Sequence, residues 1–198
     1  MTTDPQNPHE SGGVYEAGTV EAPTRNCFAV LVDNEPGVLA RVIGLISGRG
    51  YNIESLTVDA VDRENNLSRI TIVTDGSKMI VDQIEAQLGR LVPVRRVVNL
   101  TKQGRFIESC VAFVKVIAPT VRHGEAKLAA RKFGARIVDV TDNALVFEIT
   151  SDFDQIARFI EAVKPLGLAE IARTGSVAIA CGEDVLGIRT ETGHQKRA

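Results

Sequence analysis

From Asn26 onward the chain carries one succession of apolar runs and stripes twice over, and this repetition constrains the fold more than any single motif. In the first copy, Cys27 to Val32 is a short continuous apolar run, consistent with a buried strand. Val38, Leu39, Val42, Ile43 and Ile46 then recur at the helical period as a single stripe. Pro36 suits the start of that helix, where its missing N–H costs nothing, and Gly48 and Gly50 suit its end. Ile53 to Val61 and Leu67 to Val73 read as strands joined by a polar hairpin, Asp62 to Asn66. Asp75, Gly76 and Ser77 read as a turn, with Ser77 as the cap of a second helix whose stripe is Met79, Ile80, Ile84 and Leu88. Val92 to Leu100 closes the set as a fourth strand.

The second copy repeats this order. Phe106 to Ile117 reads as a strand and Thr120 to Lys132 as a helix. Ile137 to Thr141 and Leu145 to Ile149 form a hairpin around Asp142 and Asn143, and a helix over Asp152 to Val163 buries Phe153, Ile156, Phe159, Ile160 and Val163 on one face. Leu168 to Thr174 is the closing strand. Each copy is β-α-β-β-α-β, so the expected fold is α+β with two tandem ferredoxin-like units. The expected division is a disordered leader over residues 1–24, a first domain over 25–101, a second over 102–180 and a tail over 181–198. The leader is polar, rich in Pro, Gly, Glu and Thr, and cannot bury enough surface to offset its own ordering. Each unit leaves edge strands with unpaired backbone groups, so edge-to-edge pairing with a second copy, giving a homodimer, is a physical expectation.

Composition excludes several classes of function. Apolar residues make up 44% of the 198 and charged residues 24%, ordinary values for a globular protein. Trp is absent and aromatics are 5%, so the core is aliphatic. The net charge of −2, without a basic block, argues against nucleic acid as a partner. Cys27, Cys110 and Cys181 are widely separated and odd in number, and read as buried apolar residues in a reducing compartment. His9, His123 and His194 are equally scattered, and no His/Cys pair has metal-ligand spacing. No stretch reads as a signal peptide or approaches the roughly 20 apolar residues that span a bilayer, so the expectation is no membrane and a cytoplasmic location.

Between the first strand and the first helix stands Asp33-Asn34-Glu35-Pro36-Gly37-Val38-Leu39, a tight turn that opens a helix. The backbone N–H groups of Gly37, Val38 and Leu39 at a helix start suit a carboxylate. After the helix comes Arg49-Gly50-Tyr51-Asn52-Ile53-Glu54-Ser55-Leu56. Asn34 and Asn52 are neutral groups able to meet an ammonium or a carboxylate. Nothing nearby has the character of a nucleophile, a base or a metal ligand, so the turn points to binding a small zwitterion rather than to chemistry. A helix of about 12 residues is roughly 18 Å long, and one small ligand cannot touch both of its ends. A second subunit must bring its Asn52 beside the first subunit's Asn34. The second copy of the pattern has Ala118-Pro119-Thr120 in place of the turn and Arg136 in place of Asn52, so only the first copy carries the site.

Other features have plainer readings. Gly48-Arg49-Gly50 follows a helix rather than a strand and is not a dinucleotide loop. Asp59, Asp62 and Glu64 read as a solvated hairpin. A stand-alone transcriptional regulator would need clustered basic residues, and an independent enzyme would need an acid–base or nucleophile constellation. Neither is present in the sequence.

The strings Asp33 to Val42, Arg49 to Leu56 and Leu67-Ser68-Arg69 resemble the small regulatory subunits of acetolactate synthase. Asp82 to Leu88 and Ile137 to Thr141 extend the resemblance, which runs from about residue 26 to about residue 180. It implies that the first ferredoxin-like domain is an ACT domain, an amino-acid sensor. It also implies a non-catalytic chain that activates a catalytic subunit and confers feedback inhibition by valine. Thiamine diphosphate, magnesium and FAD are then expected in the catalytic partner and no cofactor in this chain. Asn34, Gly37 and Leu39 match effector-site positions of one subunit, and Asn52 and Ile53 those of its partner. Helix-start N–H groups, including that of Val38, would take the valine carboxylate, and Leu39 and Ile53 would cover its isopropyl group.

Overall fold

A computed structural model describes residues 24–187. The N-terminal unit runs β1 (Thr24–Asp33), α1 (Val38–Ser47), β2 (Ser55–Asp62), β3 (Leu67–Gly76), α2 (Lys78–Leu88) and β4 (Val94–Asn99), followed by the single turn α3 (Leu100–Gln103). The C-terminal unit runs β5 (Phe106–Ile117), α4 (His123–Phe133), β6 (Arg136–Val140), β7 (Ala144–Ser151), α5 (Phe153–Val163), β8 (Leu168–Arg173) and β9 (Val177–Ala180). Both units are β-α-β-β-α-β, and the fold is α+β with two tandem ferredoxin-like layers. The sheets have equivalent strand orders, β2-β3-β1-β4 and β6-β7-β5-β8, with every pairing antiparallel.

The continuous apolar run in β1 has a direct physical cause, because both faces of that strand are covered. Phe28, Val30 and Val32 point to the helix layer and meet Val38, Val42 and Ile46 of α1 and Val81, Ile84 and Leu88 of α2. Cys27 and Ala29 point the other way, into a small cluster with Val73, Leu100 and Ala178. Ala178 belongs to β9, so the end of the C-terminal unit covers part of the open face of the first sheet. In the second unit Val114, Val116, Phe147 and Ile149 pack beneath Ile156, Phe159 and Val163 of α5. Asp152 caps α5, its Oδ1 accepting from the Gln155 N–H at 2.7 Å.

Several boundaries differ from those read in the sequence. β2 begins at Ser55 rather than Ile53, and Asp75 and Gly76 belong to β3, where Gly76 pairs with Thr24. Met79 is not part of the α2 stripe: it is 67% exposed, and Val81 takes its place with Ile84 and Leu88. Ile80 lies only partly buried at the flank. Val92 is exposed and precedes β4, while Asn99 ends that strand and caps α3 through its side chain. The second-copy helix starts with a 3-10 turn over Thr120–Arg122.

The apolar run after residue 175 is the strand β9, paired with the first four residues of β5. Residues 181–187 are held as well: Arg96 donates to the Val185 carbonyl at 2.8 Å and Gln103 to Asp184 at 3.0 Å. Of the leader expected over residues 1–24, Thr24 opens β1, while residues 1–23 and the end of the tail, 188–198, lie outside the described residues. Cys27 and Cys110 are buried and Cys181 is half-buried, all three free. Among the described residues no helix is long and apolar enough to cross a membrane.

Candidate effector site

The turn between β1 and α1 is built by backbone bonds and two ion pairs at its flanks. Asn34 donates its N–H to the Asn66 carbonyl at 2.7 Å, and Asn66 Nδ2 returns a bond to the Asn34 carbonyl at 3.0 Å. Asn66 ends the hairpin between β2 and β3, so the turn is fastened beside the far end of β2. Arg41 pairs with Glu35 at 2.8 Å, and Arg95 pairs with Asp33 at 2.8 Å. Gly37 is the cap residue of α1 and has φ +82°, a conformation natural to glycine and strained for most other residues. A methyl group there would meet nothing of this chain within 4 Å. The glycine therefore serves the backbone geometry and leaves the space outside the turn open.

The N–H groups expected to face an anion divide in two. Those of Gly37 and Leu39 make no hydrogen bond among the described residues. That of Val38 turns back to the Glu35 carbonyl at 3.3 Å, and the Val38 side chain is buried in the helix-side core. Val38 therefore offers a ligand no side-chain surface, and the open donors are Gly37 and Leu39. Leu39 itself is half-buried at the margin of the core.

At the other end of α1, Asn52 and Ile53 precede β2. Ile53 is half-buried against the same core, while Asn52 is exposed. The backbone of this segment is fixed from below: buried Thr74 donates through its hydroxyl to the Asn52 carbonyl, and Tyr51 donates to Gln83 of α2 at 2.9 Å. The side-chain amides of Asn34 and Asn52 make no hydrogen bond among the described residues. Thr74 and Asn66 are supports that the sequence reading missed. Thr74 lies inside an apolar strand, and Asn66 has the composition of any hairpin residue.

Within one chain the six candidate residues stay apart. α1 has ten residues and is about 15 Å long, with Asn34, Gly37, Val38 and Leu39 at its start and Asn52 and Ile53 beyond its end. A groove of about 670 Å³ does exist in the N-terminal unit, but it lies on the opposite face of the sheet, between β1, β4 and residues 179–187, and none of the six lines it. Among the described residues no group of three His, Cys, Asp or Glu is placed to hold a metal ion.

Comparison with known proteins matches both units. A family model described as the small subunit of acetolactate synthase matches residues 110–182, and one described as an AHAS small subunit-like ACT domain matches residues 28–96. The chain is 42% identical over 158 residues to the "Probable acetolactate synthase small subunit" of Archaeoglobus fulgidus, covering 80% of this chain and 98% of that protein. It is 38% identical over 163 residues to the acetolactate synthase isozyme 3 small subunit of Escherichia coli, covering 82% and 99% respectively. The crystal structure of the acetolactate synthase small subunit from Thermotoga maritima aligns with a TM-score of 0.72 at 31% identity, over 81% of this chain and 99% of that one.

Proposed function

The chain belongs to the family of acetolactate synthase small subunits, and from that membership we propose that it is the regulatory subunit of an acetolactate synthase. In this reading it carries no catalytic machinery. It stimulates a thiamine-diphosphate catalytic subunit and makes that enzyme sensitive to valine, an end product of branched-chain amino-acid synthesis. The effector site is formed by Asn34, Gly37 and Leu39 of one subunit with Asn52 and Ile53 of another, while Val38, its N–H turned to Glu35 and its side chain in the core, anchors the helix start between them.

The observation that carries this reading is the position of β2. It is an edge strand of the first sheet, and its two ends are the two half-sites: Asn52 and Ile53 precede its start, while its far end leads to Asn66, which holds Asn34. Antiparallel pairing of β2 with β2 of a second copy places the start of each strand beside the far end of the other. Two such chains thus meet with the two half-sites juxtaposed, once at each end of the paired edge. The edge also carries exposed apolar side chains, Val58 and Val61, which pairing would cover.

The chemistry of the half-sites suits an aliphatic amino acid. The N–H groups of Gly37 and Leu39 at the α1 start face a carboxylate. The amides of Asn34 and Asn52 supply neutral partners for the ammonium, and Leu39 and Ile53 supply an apolar wall. Coupling between effector and partner binding is typically about 1–3 kcal/mol and is reciprocal, so valine should weaken the productive complex by the factor by which that complex weakens valine binding.

The test is acetolactate formation by the cognate catalytic subunit, with and without this chain, across a valine titration. Stimulation by the chain that valine reverses supports the reading. Absence of both effects, with the two proteins folded, overturns it.

A further inference from the structure

One guanidinium ties the segment that carries Asn52 and Ile53 to the C-terminal unit. Arg25, near the start of β1, donates from Nε to Glu54 Oε2 at 2.9 Å. Its two other nitrogens fork onto Glu108 of β5, at 2.7 and 2.5 Å. A two-pronged arginine–carboxylate contact fixes orientation as well as distance. The Glu108 side chain is only 12% exposed, so solvent screens this pair less than an ion pair at the surface. The Arg25 hydrogen bond holds the Glu108 carboxyl below its usual range, against burial, which acts in the opposite sense. Other ion pairs, such as Lys115–Glu170 and Arg136–Glu148, stay within one unit.

A second set of contacts meets β2, which begins at the residue after Glu54. Ser176 donates its N–H to Ser55 Oγ at 2.7 Å, and Thr57 donates its hydroxyl to the Ser176 carbonyl at 2.9 Å. Gly175 lies so near β2 that an added methyl would come within 2.7–2.9 Å of Thr57 Cγ2, the Leu56 carbonyl oxygen and Ser55 Oγ. Residues 175–176 lead into β9, whose Ala178 is paired with Glu108. Glu54, Ser55 and Thr57 therefore form one continuous seam with β5 and β9, and that seam begins one residue after Ile53.

We propose that Arg25 is a positioning residue: it fixes the 52–54 segment of the effector site and carries the occupancy of that site to the C-terminal unit, by holding Glu54 and Glu108 on one guanidinium. A ligand seated against Asn52 and Ile53 displaces or stiffens the segment that carries Glu54. Arg25 follows Glu54 only by moving its fork on Glu108, so the change reaches β5 and the β9 strand paired with it. The proposal rests on the effector reading above for the identity of the ligand, but the mechanical link is independent of that identity.

Two measurements separate the link from the ligand. The first is hydrogen exchange of residues 51–58 in the full chain without any ligand. Glu108→Gln, a change in the other unit, should raise exchange of this segment about fivefold while leaving α5 unchanged. Unaltered exchange in 51–58 overturns the link whatever valine does. The second is valine inhibition of the reconstituted holoenzyme by Glu54→Gln, Glu108→Gln and the double variant. Because one guanidinium serves both carboxylates, each single variant should raise the half-inhibiting valine concentration about fivefold, and the double variant should be no worse than either. Independent, multiplying effects would show two separate structural contacts and overturn the proposal. A wild-type holoenzyme indifferent to valine would sink the effector reading, and the exchange result would then decide the link alone.

Discussion

Gly175 of the C-terminal unit rests directly on Thr57 of β2: a methyl group at 175 would lie 2.7 Å from Thr57 Cγ2 and 2.8 Å from the Leu56 carbonyl oxygen. No real side chain tolerates such contacts, and one of the two obstacles is backbone. Gly175→Ala must therefore open the seam between the units, at a cost of about 1–3 kcal/mol, the usual range for overpacking. Gly44 is the control, because a methyl there meets nothing within 4 Å and the residue sits in the middle of α1. Gly44→Ala should stabilise by about 0.5–1 kcal/mol, from the lower chain entropy of alanine. Urea midpoints of the two variants check the signs. A neutral Gly175→Ala would mean that the two units are not seated as described.

Gly37 tests the chemistry of the turn. Its φ of +82° is one that Asn and Asp adopt more readily than other L-residues. Gly37→Asn and Gly37→Asp are thus nearly matched in shape and backbone cost and differ in charge. Both intrude on the space a ligand would use, but only Asp opposes a carboxylate there. At an effective dielectric constant of 20, two like charges 4 Å apart repel by about 4 kcal/mol, enough to abolish binding after allowance for solvent. The half-inhibiting valine concentration should rise in both variants, and at least about tenfold more in Gly37→Asp. Equal rises would place the ligand carboxylate elsewhere, and full sensitivity in Gly37→Asp would move the site.

The parts of this fold legible in the sequence are those coded by local period. The α1 stripe of Val38, Val42 and Ile46 and the two-faced burial of β1 both announce themselves as apolar patterns. The start of α2 at its cap Ser77 is legible as well, but its buried stripe is not: Met79 and Ile80 are apolar residues adjacent to the true stripe, and only packing selects Val81. The strand β9 is a short apolar run in the sequence, but nothing local places it, since its register against Phe106–Ser109 is set by tertiary contact. The same limit applies to the candidate site. Asn34, Gly37 and Asn52 stood out by residue type and position. The fork of Arg25 onto Glu54 and Glu108 spans 29 and 83 positions, and no local pattern encodes a contact over that distance.

The Glu108 carboxyl sets a pH dependence. The Arg25 hydrogen bond lowers its pKa in the folded chain, whereas a free glutamate titrates near about 4.3. A depressed folded value means that the folded state favours the ionised form. The resulting stability is fully present above the unfolded value and is lost as pH falls through the folded one. At pH 7 Glu108→Gln should therefore melt below the wild type, and the gap should narrow progressively once pH drops below about 4.3. Thermal melts of both proteins between pH 7 and 3 make the comparison. A gap that stays constant with pH would show that Glu108 acts through shape alone.

The edge of β2 carries the last prediction. Val58 is 42% exposed and lies in the middle of that strand, paired on one side to Ile70 of β3 and open on the other. If two chains join through this edge, the axis between them passes near the strand centre, and a residue there stands close to its own copy. Val58→Glu would then set two like charges near each other across the seam, an arrangement that destabilises strand pairing. In the monomer the same change replaces an exposed apolar side chain and should move stability by no more than about 0.5 kcal/mol. Sedimentation should thus show a weaker dimer with an unchanged urea midpoint at high dilution. Valine binding should fall in parallel with dimer content if, as proposed, Asn34 and Asn52 come together across the pair. A variant that remained fully dimeric and still bound valine would place the dimer contact on another surface. A variant that became monomeric and still bound valine would show that the two halves of the site do not need each other.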